Sequence, residues 1–158
     1  MSNIVTHRFR ISGDKKEVKK FMKFFADDIR TFNIDFNKVI PLVDGDQLKS
    51  WGAWMEYDRV GKCTFNIKKH PISHDGKLTV DFEMATKNSV PEIAFREMCV
   101  LFPNIWFESY GFEPGFAWKY LMTVEETDTE RTINDVKFVY SNFTDYDLAV
   151  FMRECIPW

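Results

Sequence analysis

Val5-Thr6-His7-Arg8-Phe9-Arg10-Ile11, followed at once by Ser12-Gly13-Asp14-Lys15-Lys16-Glu17-Val18, is the stretch that decides the fold. Its first half sets Val5, His7, Phe9 and Ile11 two apart, with Thr6, Arg8 and Arg10 between them. That is the period of a strand with one buried face. Ser12-Gly13 ends the run. Asp14 stands three residues before Glu17, the spacing of a reciprocal N-terminal cap. Val18, Phe21, Met22, Phe25 and Ile29 then recur at helical spacing, and Lys16, Lys19, Lys20 and Lys23 read as the solvated side. A half-buried strand running straight into an amphipathic helix starts an α+β unit. His7 falls on the buried side, where a hydrogen-bonded core histidine is expected.

Similar patterns recur further along. Cys63, Phe65 and Ile67 alternate with polar residues and predict a strand over 63–69; Leu78, Val80, Phe82 and Met84 predict another over 78–86. Breaks at His70-Pro71 and Asp75-Gly76 make these two a hairpin with a long connection. Ser89-Val90-Pro91-Glu92 predicts a capping box for a helix over 90–102 whose face is Phe95, Met98, Cys99 and Phe102. Two further strands, over 104–112 and 115–124, flank a tight turn at Glu113-Pro114-Gly115.

The order β-α-insertion-β-β-α-β-β is the split βαβ arrangement of ferredoxin-like folds: α+β, an antiparallel sheet, both helices on one face. Residues 1–124 form that domain, including an aromatic insertion over 31–60. Residues 125–158 add a C-terminal extension packed on the same domain, with a strand over 135–140 and a closing helix over 145–155 that presents Leu148, Phe151 and Met152. In this order the first and third strands are antiparallel neighbours, so Arg8 and Arg10 should meet Asp81 and Glu83 across the open face.

Within the insertion, Phe36 to Pro41 reads as extended, because the residue before proline avoids helical geometry. Asp44-Gly45-Asp46 signals a turn, and the length of the segment predicts an ordered insertion with short helical turns. Trp51-Gly52-Ala53-Trp54-Met55-Glu56-Tyr57-Asp58 fits neither helix nor strand periodicity. It reads as a folded plug with Trp51, Trp54 and Tyr57 buried and their polar handles partnered. The competing reading is an aromatic-walled ligand site carrying Glu56 and Asp58.

At 158 residues the chain suits one domain that buries about 68–70% of its unfolded surface. Sixteen phenylalanines and five tryptophans imply a core filled by rings. A net charge of −3 supplies no global attraction to nucleic acid or anionic lipid. Cys63, Cys99 and Cys155 are scattered and odd in number, which reads as reduced core thiols of a cytoplasmic protein. Neither a signal peptide nor an apolar run of membrane-spanning length is visible, so no membrane association is expected.

The chemical constellations are thin. His70 and His74 have a zinc-like spacing beside Asp75, but Pro71 intervenes and no second ligand pair follows, so no metal or other cofactor is assigned. No serine sits in a nucleophile elbow, and no cysteine has a histidine neighbour. The first strand-to-helix turn carries one glycine, too few for a phosphate cradle. Glu56, Asp58 and Glu113 lie in turns and read as solvated or capping carboxylates. No catalytic residue is named, and the chain is read as non-enzymatic.

Four segments occur together in order: Asp35-Phe36-Asn37-Lys38-Val39-Ile40-Pro41, the Trp51-Gly52…Trp54…Tyr57-Asp58 cluster, Phe102-Pro103, and Gly111-Phe112-Glu113-Pro114-Gly115-Phe116-Ala117. Across roughly residues 1 to 122 the chain thereby resembles the YubB ferredoxin-like domain family of plasmid and bacteriophage proteins. It departs from the family in having only Ala53 between Gly52 and Trp54, and Thr86-Lys87 where a tryptophan usually follows the third strand. The resemblance implies a ferredoxin-like domain on a mobile element and brings no catalytic residues with it.

The function expected is that of an accessory protein binding and modulating a host protein, an inhibitor of a bacterial defence system being the concrete form. Trp51, Trp54, Tyr57, Asp58, Trp106, Tyr110, Trp118 and Trp158 are its candidate interaction or plug residues. The alternative is RNA or single-stranded nucleic-acid binding on the open sheet, with Trp106, Tyr110, Trp118 and Tyr120 as stacking rings. Those rings are expected instead against the insertion or the C-terminal helix. The outward acids Asp81 and Glu83 oppose phosphate, and no strand carries the basic-glycine-aromatic RNA signature.

Overall fold

Alternation in the first segment is realised as a strand, Ile4–Asp14 (β1), in a computed structural model that describes residues 3–25, 33–55, 62–64, 66, 67, 72–147 and 149. Val5, His7, Phe9 and Ile11 are buried on one side of it. The first helix, Lys15–Phe25 (α1), buries Val18, Phe21 and Phe25. The expected cap residue Asp14 stays in the strand, opposite Lys77, and its carboxylate accepts from Lys77 Nζ at 2.8 Å. The first helical N–H, on Lys15, donates to the Gly76 carbonyl.

The insertion contains Asn33–Asp35 (β2), Gln47–Trp51 (α2) and Trp54–Met55 (β3). Phe36–Lys38, expected to be extended, is a 3₁₀ turn: the Asp35 carboxylate accepts from the Asn37 N–H at 3.0 Å, a local bond that outweighs the bias from Pro41 four residues on. Asp46 caps α2, and Gly52 ends it at φ 94°, a conformation favouring glycine. Position 52 is also sterically tight, because a Cβ there would lie 3.2 Å from the Glu92 nitrogen.

The strand expected over 63–69 is divided. Lys62–Thr64 (β4) pairs with β2 in a separate ribbon, and Asn66–Ile67 (β5) joins the main sheet. Ile72–His74 (β6) and Lys77–Lys87 (β7) follow, then Glu92–Leu101 (α3), Trp106–Glu113 (β8), Trp118–Val124 (β9) and Val136–Asn142 (β10). The expected capping box before α3 does not form. Ser89 Oγ donates to the Gly52 carbonyl at 2.8 Å, and Pro91, without a side-chain cap, precedes the helix. Residues 145–147 and 149 are helical; the rest of the helix expected over 145–155, with Leu148, Phe151 and Met152, lies outside the described residues.

The main sheet runs β10-β9-β8-β1-β7-β3, with β5 and β6 also on β7, and all its described pairings are antiparallel. Helices α1 and α3 pack on one face. From α1, Phe21 meets Phe82 and Phe107 at ring separations of 6.4 and 5.7 Å. From α3, Phe95 meets Phe9 at 4.6 Å and His7 at 5.6 Å, edge to face. Each ring so buried contributes about 1.5–3 kcal/mol relative to exposure.

The extension is tied to α3 in both directions. Arg96 of α3 donates to the Ile133 carbonyl at 3.0 Å and to the Val136 carbonyl, and lies 4.9 Å over the Phe138 ring. Arg131 reaches back to the Cys99, Phe102 and Ile105 carbonyls at 3.1, 3.1 and 2.8 Å. It thereby gives a partner to the Cys99 carbonyl, one of the groups that a helix C-terminus leaves without intrahelical partners, and ties the cap and the loop beyond it.

Candidate functional site

The two faces of the sheet hold different polar chemistry. On the helix face a hydrogen-bond chain crosses four strands. In register, His7 pairs with Gly111, and Gly111 with Tyr120. Gly111 has no side chain, so the Tyr120 ring lies across it; a Cβ there would collide with Thr6 O and Tyr120 Cε1. The phenol consequently reaches His7 Nδ1 at 2.7 Å and Ser109 Oγ at 2.8 Å. On the other side His7 Nε2 lies 2.7 Å from Thr86 Oγ1, which donates to the Ser89 carbonyl at 2.7 Å.

That last bond orients the chain. Thr86 spends its proton on Ser89, so it accepts from His7 Nε2–H. Nδ1 must then accept from Tyr120 O–H, and Ser109 donates to Tyr120. His7 is the neutral Nε2–H tautomer. Burial pushes its pKa down to about 3, and burial pushes the Tyr120 phenol up. All four side chains are buried, which makes this a structural network closed to substrate.

On the opposite face, Arg10 makes a two-point contact with Asp81, at 2.8 and 3.1 Å. Arg8 Nε donates to Glu83 at 3.3 Å, and its Nη1 to Tyr110 Oη at 3.3 Å. These are the expected cross-strand pairs. Arg8 and Asp81 are only 4% and 6% exposed, so the middle of this face is not a solvated strip.

Beside the ion pairs lies an apolar row. The register aligns Arg8, Tyr110, Leu121 and Val139 across four strands, and Leu121 and Val139 are 41% and 63% exposed. A groove of about 400 Å³ opens here, with Tyr110, Leu121, Val139, Phe143 and Asp147 in its lining. Phe143 stacks on Phe112 at 4.8 Å. Lys119 Nζ bonds Asp147 at 2.5 Å; that bond and those from Thr144 pull the Asp147 pKa down to about 2. A wider groove of about 960 Å³ lies at the end of the sheet, between Trp106 and the acidic loop 125–130.

Of the residues named from sequence, Trp51 is fully buried, its indole donating to the Ile40 carbonyl at 2.9 Å and its ring edge-on to Phe36 at 5.8 Å. Trp54 is 42% exposed, contrary to the expected burial of the whole cluster. It sits past the Gly52 turn in a two-residue strand on the β7 edge, beyond the end of the helix whose last residue is Trp51. Tyr57, Asp58 and Trp158 lie outside the described residues.

The four expected rings divide between the faces. Trp106 and Tyr110 belong to the open face, with Trp106 40% exposed. Trp118 is half-buried on the helix face against Tyr140, 5.9 Å away, and Tyr120 is in the core. Stacking by four coplanar rings is therefore excluded by the strand alternation. Leu121 and Val139 were missed from sequence, although the alternation Tyr120-Leu121-Met122 already marks Leu121 as facing away from the core.

Glu113 and His74 have partners within the fold. Glu113 accepts from the Gly115 and Phe116 N–H groups, both at 2.6 Å, and so shapes the β8–β9 turn. His74 is exposed and lies 3.1 Å from Asp75. Cys99 is enclosed, and burial pushes its thiol up to about 12. Among the described residues no three His, Cys, Asp or Glu side chains gather as a metal site, and no helix is long and apolar enough to cross a membrane. Comparison with protein-family models, curated proteins and solved structures finds no match.

Proposed function

We propose that this chain is a non-enzymatic accessory of a mobile element, phage or plasmid, that binds and modulates a host protein, with inhibition of a bacterial defence system as the concrete form. The observation that carries the binding mode is the row Tyr110–Leu121–Val139 beside arginines already held by Glu83 and Asp81. An exposed apolar strip whose neighbouring arginines are neutralised suits a protein contact better than a phosphate backbone. The mobile-element setting rests on the resemblance of the four sequence segments. The order β8-β1-β7 with β5 beyond it, all antiparallel, supports the ferredoxin-like part of that reading.

The test is affinity capture from a bacterial host with the whole chain and with a Leu121→Asp/Val139→Asp variant, in moderate salt and with ribonuclease. The expected result is one stoichiometric protein, retained in salt and lost with the variant. Exposed Trp106 favours the second reading, RNA or single-stranded nucleic-acid binding. Ribonuclease-sensitive material that leaves steeply with salt, and no protein, would replace the first reading by the second.

A further inference from the structure

We infer that the outer edge of β10 pairs antiparallel with the same edge of a second copy of this chain. The two margins of the sheet are unlike. At one, the outer side of β7 is taken up in pieces by β6, β5 and β3. At the other, β10 pairs one-to-one with β9 over seven residues, and among the described residues nothing pairs with its far side. Half of its backbone N–H and C=O groups therefore point outward, a ready template for another strand.

The usual protections against such pairing are sparse here. Val136–Asn142 contains no proline, its unbroken register leaves no bulge, and Lys137 is its only charge. Val139 and Tyr140 are 63% and 49% exposed.

The sequence of the edge selects a twin over an unrelated strand. A two-fold axis through Val139 sets Val139 against Val139 and Lys137 against Ser141 on the open face. On the helix face it sets Phe138 against Tyr140, twice. No like charges meet, small polar groups face the ammonium groups, and both aromatic pairs are cross-strand neighbours. Pairs of this kind stabilise antiparallel sheets. An isologous contact needs this self-complementarity, with residue i facing j and j facing i. The apolar rows of both copies then join into one strip twice as long.

Purified full-length chain alone tests this, independently of any host partner. Sedimentation velocity over a rising concentration series should show reversible monomer–dimer exchange. Val139→Lys, at an exposed position, should leave circular dichroism and the melting of the dilute monomer unchanged. It should weaken the dimer about tenfold or more, because two ammonium groups would face each other across the axis. In a second measurement, Val139→Cys should crosslink through a short bis-maleimide well above the unsubstituted chain, and Lys137→Cys should not, since residue 137 faces 141. A monomer at every concentration, a dimer untouched by Val139→Lys, or crosslinking at 137 in place of 139 would each overturn the inference.

Discussion

His7 and Arg8 are adjacent in β1, both buried, both able to carry charge, and the sheet treats them in opposite ways. On the helix face His7 is kept neutral among hydroxyls and rings. On the other face Arg8 stays charged against Glu83 and Tyr110. Burial penalises an ion unless a counter-charge is close. The helix face offers no carboxylate within the chain Ser109–Tyr120–His7–Thr86, whereas β7 places Glu83 directly opposite Arg8. Strand alternation, by sending neighbours to different environments, keeps the histidine neutral and gives the arginine its counter-charge.

The largest expected effect comes from the aromatic packing that makes the helix face dry. Trp51→Ala should lower stability by about 3–5 kcal/mol, read in denaturant melts, because it removes a fully buried ring and the bond to Ile40. On the charged face, Asp81→Ala takes the two-point partner from a partly exposed Arg10, and a loss of about 2–3 kcal/mol is expected. The double variant Arg10→Met/Asp81→Leu should recover most of it. If the single variant cost nothing, the ion pair would be incidental.

His7 sharpens the comparison through pH. Its folded pKa lies well below the ordinary 6.5, so below that value the unfolded chain binds a proton that the folded chain refuses. Its contribution is therefore fully present above pH 6.5 and declines as the pH falls towards 3. Between pH 8 and 5 the loss should be about 2 kcal/mol. His7→Gln, which keeps one donor and one acceptor, should flatten the stability–pH curve over that interval. An unchanged curve would mean that the site is hydrated. The smallest effect belongs to Trp54→Ala, expected within about 0.5 kcal/mol because the residue is nearly half exposed.

Much of this contrast can be read from residue order, because strand alternation is local. The pattern Val5-His7-Phe9-Ile11 against Arg8-Arg10 names both faces, and the antiparallel order of β1 and β7 supplies the acids opposite. What finishes each hydrogen bond is not local. Tyr120 reaches His7 across 113 positions because Gly111 leaves room, and Ser89 turns to Gly52 across 37 in place of capping its own helix. Trp51 and Trp54 look equivalent in sequence, but a left-handed turn at Gly52 sends one inward and leaves the other on an edge. The apolar row is not visible in residue order for a related reason: Tyr110, Leu121 and Val139 become neighbours only once register is set.

The grip of Arg131 on the end of α3 has a consequence for the order of synthesis. The carbonyls it binds, on Cys99, Phe102 and Ile105, lie 32, 29 and 26 residues upstream. As the chain emerges, α3 exists for a few seconds, at about 5–20 residues per second, before the guanidinium that completes it has been made. During that interval the Cys99 and Ile105 oxygens lack the guanidinium, and the Phe102 oxygen has the bond from the Ile105 N–H alone. The guanidinium bonds at the end of α3 can form only after the extension arrives, so this locking step proceeds from the later part of the chain back onto the earlier one.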